Sequence, residues 1–155
     1  MGIWNPPYER LAETCASQSA ALLRVAALVP RVAVEVVKQE KARSGHTRIE
    51  IRVSNRGYLA TCDPPSARKL PHSEPLRLTA EGTGVKLVAP AESIVEIGHL
   101  DGWGSGLYNG AHIFMPWTRG NVHEKFVTLV AEGRGRLRVK VGSRRVEFRA
   151  LEITV

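Results

Sequence analysis

Leu28-Val29-Pro30-Arg31-Val32-Ala33-Val34-Glu35-Val36 is the stretch in which the period of the chain changes. Upstream of it, Tyr8, Leu11, Cys15, Leu22, Ala26 and Val29 recur at spacings of three and four, which gathers them into one apolar stripe of a helix. Asn5 is a good N-cap, and Pro6 at the first helical position loses nothing by lacking an N–H. Pro30 ends the helix, because the residue before a proline is pushed out of the α region. Downstream, Val32, Val34 and Val36 alternate with other residues, the period-2 pattern of a strand.

The alternation continues to the end of the chain. Ile49, Ile51 and Val53 form a second strand after a turn at Arg43-Ser44-Gly45-His46. Leu76 and Leu78 begin a third, and a short one follows over Val85 to Val88. Val95, Ile97 and His99 share a face of the next. Phe126 to Val130, Leu137 to Val141 and Val146 to Val155 complete the set, with Gly142-Ser143 as the tight connection between the last two. No second helix is available to carry a parallel crossover. The expectation is a mainly β fold: an antiparallel β-sandwich of about eight strands with one N-terminal α-helix packed against it. Residues 1–30 are the lead-in and linker helix, and residues 31–155 are the sandwich domain.

At 155 residues with 43% hydrophobic side chains, the chain has the size and composition of one ordinary domain with its own core. No apolar run approaches the roughly 18 residues that would cross a bilayer, and no basic segment followed by an apolar stretch opens the chain as a signal peptide would. A soluble chain is the expectation, with no membrane partner. Cys15 and Cys62 are too few for a disulfide framework and read as small buried or half-buried thiols.

The net charge of +7 is concentrated late in the chain. Arg136, Arg138 and Lys140 alternate with Leu137, Val139 and Val141, so the bases belong to the wet face of a strand. A solvated sheet face comes first and a docking face for an acidic partner second. Nucleic acid is the weakest reading, because no aromatics interleave with the bases to stack on nucleotides.

Two segments break the strand rhythm. Thr61 to Pro75, with Pro64, Pro65, Pro71 and Pro75, is a long surface connection. Gly102 to Gly120 mixes glycines with Trp103, Tyr108, Phe114 and Trp117. Loops of this length often carry function, although large aromatics also fold back over a core wherever they can be buried. Catalytic motifs are missing throughout. His46, His72, His99, His112 and His123 have no second ligand at zinc-site spacing. Gly102-Trp103-Gly104-Ser105-Gly106 places its serine at the wrong offset for a nucleophile elbow. Gly82-Thr83-Gly84 is too short for a phosphate loop. Asp101 and Glu96 are the only carboxylates near the aromatic loop, and His99 reads as a buried residue hydrogen-bonded to backbone. No catalytic or metal-binding residue is assigned.

Four short stretches nevertheless resemble a known family, the last being the Gly-containing turn and final strand after Val141-Gly142-Ser143-Arg144. Trp4-Asn5-Pro6-Pro7 with the helix ending at Leu28-Val29-Pro30-Arg31 is similar to the segment just after the catalytic domain of bacterial M14-type zinc carboxypeptidases. Val53-Ser54-Asn55-Arg56-Gly57-Tyr58-Leu59-Ala60-Thr61 resembles that family's V-x-N-T-G-Y-L-P-T segment, with Arg56 in place of threonine and Ala60 in place of proline. Gly98-His99-Leu100-Asp101-Gly102 is similar to its G-H-L-E-G element. The resemblance implies a non-catalytic C-terminal accessory domain that supports a preceding peptidase domain and shapes access to its cleft. It also implies that zinc and the catalytic glutamate belong to that preceding domain, so this chain carries no cofactor of its own.

From the residues alone, Asn55 and Gly57 suit a turn needing positive φ, after which Tyr58 and Leu59 re-enter the core. Gly98 and Gly102 bracket a sharp strand end. The candidate interaction surface is Trp4, Tyr8, Trp103, Tyr108, Phe114 and Trp117. The alternative is a free-standing binding module that takes a carbohydrate or peptide through loop 102–120.

Overall fold

A computed structural model describes residues 7–42, 45–62, 65–106 and 122–155. One helix precedes six strands: α1 (Leu11–Ala26), β1 (Val32–Lys41), β2 (His46–Asn55), β3 (Leu76–Ala89), β4 (Ile94–Gly98), β5 (Glu124–Ser143) and β6 (Val146–Thr154). All pairings are antiparallel, in the order β1-β2-β5-β3-β4, with β6 also on β5. The fold is mainly β. No helix among the described residues is long and apolar enough to cross a membrane.

The six strands replace about eight expected ones for a physical reason. Glycines at 82 to 84 and 133 to 135 read as breaks between strands, but they are corners within β3 and β5. The ladder runs through them, with Thr83 opposite Arg136 and Val85 opposite Gly133. Gly84 has φ +74° and Gly133 φ +108°, conformations that a Cβ disfavours. A β-carbon on Gly84 would meet the Arg134 carbonyl at 2.8 Å, and one on Gly133 the Gly84 carbonyl at 2.7 Å. Such bulges bend a strand and increase its twist.

Either side of the corner, β5 serves different neighbours. Its first half pairs with β2 (Ile49 opposite Leu129) and its second with β6 (Val139 opposite Leu151). Ile49, Ile51 and Leu129 from one half share a single core with Leu78, Val139 and Val141 from the other. The sheet thus coils on itself around one apolar interior. The Gln39 side chain on β1 donates to the Thr154 carbonyl on β6 at 2.7 Å and ties the outer strands at one end.

Several expectations are corrected. The connection between the last two strands is Arg144-Arg145, not Gly142-Ser143; Gly142 is within β5, where a Cβ would lie 2.7 Å from the Phe148 ring. α1 is not packed against the sheet, because none of its residues is buried. Its apolar side chains Leu22 and Leu23 are 70% and 72% exposed. A Tyr8–Arg10 3₁₀ turn precedes it, and Asn5 and Pro6, expected to cap it, lie outside the described residues. Cys62 is buried as expected, whereas Cys15, on the unpacked helix, is exposed.

Candidate functional site

The junction between the helix exit and the sheet brings residues 28–31, 55–61 and 98–104 together. Its centre is Asn55, at the end of β2 and 2% exposed. The Asn55 Oδ1 accepts from the Arg31 and Gly57 amides, both at 2.9 Å, and Nδ2 donates to the carbonyls of Leu59 at 2.8 Å and Asp101 at 3.2 Å. Four hydrogen bonds satisfy a buried amide completely. They connect the strand entry, the 55–59 turn and the 98–102 segment.

The neighbouring backbone completes the junction. Leu59 N–H donates to the Leu28 carbonyl (3.0 Å) and Arg56 N–H to that of Arg31 (2.8 Å), so the residues after α1 are held by the turn. The Thr61 amide donates to the Leu100 carbonyl (2.9 Å), while Thr61 Oγ1 accepts from the Leu100 amide (2.9 Å). Trp103 N–H donates to Gly57 and Gly104 N–H to Tyr58. Gly57 is needed for close approach, not for the positive φ expected of it: a Cβ would lie 2.4 Å from the Val29 carbonyl. Gly102 is the same case, 2.1 Å from the Tyr58 carbonyl, while Gly98 does have a positive φ of +88°. Tyr58 and Leu59 are half-buried at the surface, not core residues.

Charge reinforces the framework. Asp101 Oδ1 pairs with Arg68 Nη2 at 2.5 Å, and Oδ2 accepts from the Val122 amide at 3.1 Å. Asp101 N–H also donates to the Val122 carbonyl at 2.9 Å, so residues 101 and 122 are clamped together. Arg56, one of the two departures from the family segment, ion-pairs with Glu35 alongside Arg52. The hydrogen bond from Arg52, with Arg56 beside it, holds the Glu35 carboxyl below its ordinary pKa.

His99 is half-buried, and its Nε2 lies 3.0 Å from Ser73 Oγ, a side chain where a backbone partner was expected. Cys62 Sγ is 3.9 Å from the same hydroxyl. Burial, aided by the nearby Arg68 charge, pushes the His99 pKa down, and among the described residues Nδ1 is buried without a hydrogen-bond partner. A serine–imidazole contact alone is not a catalytic triad, and among the described residues no carboxylate orients the ring. Asp101 is engaged by Arg68 and Val122, and Glu96 is exposed on β4 opposite Arg77. Among the described residues no three His, Cys, Asp or Glu side chains converge as a metal site would require.

Of the candidate surface residues, Trp103 stands at the junction, 54% exposed, its ring edge-to-face with Tyr58 at a centroid distance of 4.4 Å. Tyr8 is 86% exposed before the far end of α1, which separates it from the helix exit by about 24 Å at 1.5 Å per residue. Trp4, Tyr108, Phe114 and Trp117 lie outside the described residues. Tyr58, expected in the core, and Arg68, which no motif singled out, position Trp103 and Asp101. Gly102 and Gly104, whose β-carbons would strike Tyr58, were the available signal. The late bases occupy an exposed sheet face, where Arg138 stands between Glu81 and Glu152.

A domain-family profile, Domain of unknown function (DUF8731), matches residues 31–154. No curated protein matches the chain. Among solved structures, DesR, a β-glucosidase from Streptomyces venezuelae in complex with D-glucose, aligns with a TM-score of 0.32 and 12% identity over 81% of this chain. The chain spans 15% of the length of that structure.

Proposed function

The chain belongs to the DUF8731 family, and from that premise we propose that it is a non-catalytic accessory domain of a bacterial M14-type zinc carboxypeptidase, following the peptidase domain. Its work in this reading is to support that domain and shape access to its cleft. Zinc and the catalytic glutamate would come from the preceding domain, and this chain contributes a docking surface.

The observation that carries the proposal is the contrast at the junction. The 28–31 segment is bonded to the 55–59 turn, yet α1, directly before it, buries nothing. A helix with an apolar stripe needs a partner surface, and the family match begins at Arg31, just after the helix exit. A preceding domain seated on Leu11, Leu22 and Val25 would cover the stripe, with Trp103 beside the anchored end. Contacts between domains of one chain typically bury about 600–1,500 Å², with aromatics enriched at their centre.

Reading the source genome in frame upstream of this segment is the direct test. An open frame encoding His-x-x-Glu and a distant third histidine is the expected result; a stop codon shortly before Met1 refutes the assignment. A second reading, a free-standing module for a carbohydrate or peptide, draws on the exposed Trp103 ring. A cell-wall sugar fragment that shifts tryptophan fluorescence in wild type and not in Trp103→Ala would favour it.

A further inference from the structure

The outermost strands leave a second, independent feature. Among the described residues β1 pairs only with β2, and β6 only with β5. Arg56 N–H bonds to the Arg31 carbonyl, and antiparallel ladders alternate, so the backbone groups of Val32 and Val34 point away from β2. By the same alternation the reciprocal bonds between Gly135 and Val155 leave the Thr154 carbonyl on the free side of β6, where Gln39 meets it. The two free edges therefore face each other across a seam. Gln39 closes one end, and the bulge between Val36 and Lys38 interrupts the edge of β1 before it.

At the other end the seam opens into a groove. Val29, Pro30 and Arg31 line one wall, and Arg145, Val146 and Arg149 the other. Three exposed arginines thus flank a groove whose apolar lining is Val29, Pro30, Val32 and Val146. Among the described residues Glu147 is the one carboxylate lining the groove, and it is paired with Arg149 at 2.9 Å. Among the described residues the side chains of Arg31 and Arg145 have no ion-pair partner.

We propose that this groove is a docking slot for an extended, acidic segment of a separate polypeptide, which adds as a strand to the free edge of β1 at Val32–Val34 while its carboxylates meet Arg31, Arg145 and Arg149. Unpaired edge groups supply the register and pockets beside them the selectivity, as in other strand-addition sites. Guanidinium–carboxylate pairs are among the stronger charged hydrogen bonds. A second copy of this chain is a poor occupant because it carries a net +7 and no acidic run. The slot lies past the end of α1, with Val29 alone of the helix's stripe in its wall, and its argument does not rest on the peptidase assignment.

The probe is a fluorescent, end-capped peptide of about eight alternating Glu and Val residues, with anisotropy read on the whole chain at low salt. Three comparisons accompany it: the Lys/Val counterpart, the Glu/Val peptide N-methylated at alternate amides in both possible phases, and the double variant Arg31→Glu, Arg145→Glu. Both arginines are exposed, so the variant should fold, which its melting curve verifies. Saturable binding of the Glu/Val peptide is expected, about tenfold weaker in the variant, weakened by one phase of N-methylation and absent for the Lys/Val peptide. No binding, equal binding of the basic peptide, or indifference to the arginine reversal overturns the proposal. Binding that survives both phases of N-methylation, or that a sulfated oligosaccharide matches, marks a general polyanion patch and overturns it equally.

Discussion

The helix and the 55–61 turn are neighbours joined at Leu28–Arg31, and they are opposites. α1 has a clear apolar stripe and buries none of it. The turn has hardly any periodic pattern, yet it is tied to the helix exit, to 98–102 and to Trp103 through Asn55, Thr61 and close-packed glycines. Apolar periodicity states that a face will be covered and leaves open what covers it. A buried polar side chain with every bond satisfied specifies which segments must meet.

That contrast can be broken where it is strongest. Asn55→Ala strands the Arg31 and Gly57 amides and two carbonyls in a buried site. Each buried group without a partner costs about 1–3 kcal/mol, so a loss of about 3 kcal/mol or more is expected in chemical denaturation of this chain. Leu22→Ser with Leu23→Ser should change the same measurement by no more than about 0.5 kcal/mol. Were the chain preceded by the proposed domain, and the stripe covered by it, the ranking would narrow. Equal losses in the isolated chain would erase the distinction.

Gly102→Ala sharpens it next, since the added methyl meets the Tyr58 carbonyl at 2.1 Å. A cost of about 2 kcal/mol follows from such overpacking, whereas Ala21→Gly in α1 should cost about 1 kcal/mol through helix propensity alone. The Arg68–Asp101 pair is partly exposed, and Asp101 also receives the Val122 amide. Asp101→Asn should cost about 1 kcal/mol, with faster amide exchange at Val122 as its local signature.

The smallest effect depends on pH. The pKa of His99 lies below that of the unfolded imidazole, so the native state binds fewer protons. Stability is therefore full above the unfolded value of about 6.5 and falls as pH drops through it toward the lower native value. Melting between pH 7.5 and pH 5 should show this decline, and His99→Gln should flatten it. A native chain that gains stability on acidification would reverse the sign assigned here.

Much of the β character was readable because it rests on local chemistry. Pro30 ends the helical period, and Val32–Val36 and Ile49–Val53 alternate as half-buried strands do; both became paired strands. The corners at Gly84 and Gly133 were not readable, because a glycine that ends a strand and one that bends it look alike without the partner strand. The unpacked helix was missed for a related reason: its stripe is real, but the sheet does not cover it. The junction was half readable. The turn at 55–57 and the strand end at 98–102 could be read locally, but the bond from Asn55 to Asp101 spans 46 residues, and no local pattern encodes a contact at that separation.

The corner in β5 also governs when the fold can exist. Residues 124–143 are the shared member of both halves, pairing with β2, β3 and β6, and they are made after four of the six strands. Until they are synthesised, the emerging chain has only the β1–β2 and β3–β4 hairpins, each with its apolar face uncovered, and isolated hairpins are marginal in water. The domain is therefore committed to forming late and all at once, and a nascent chain stalled before residue 124 should be protease-sensitive throughout its strands.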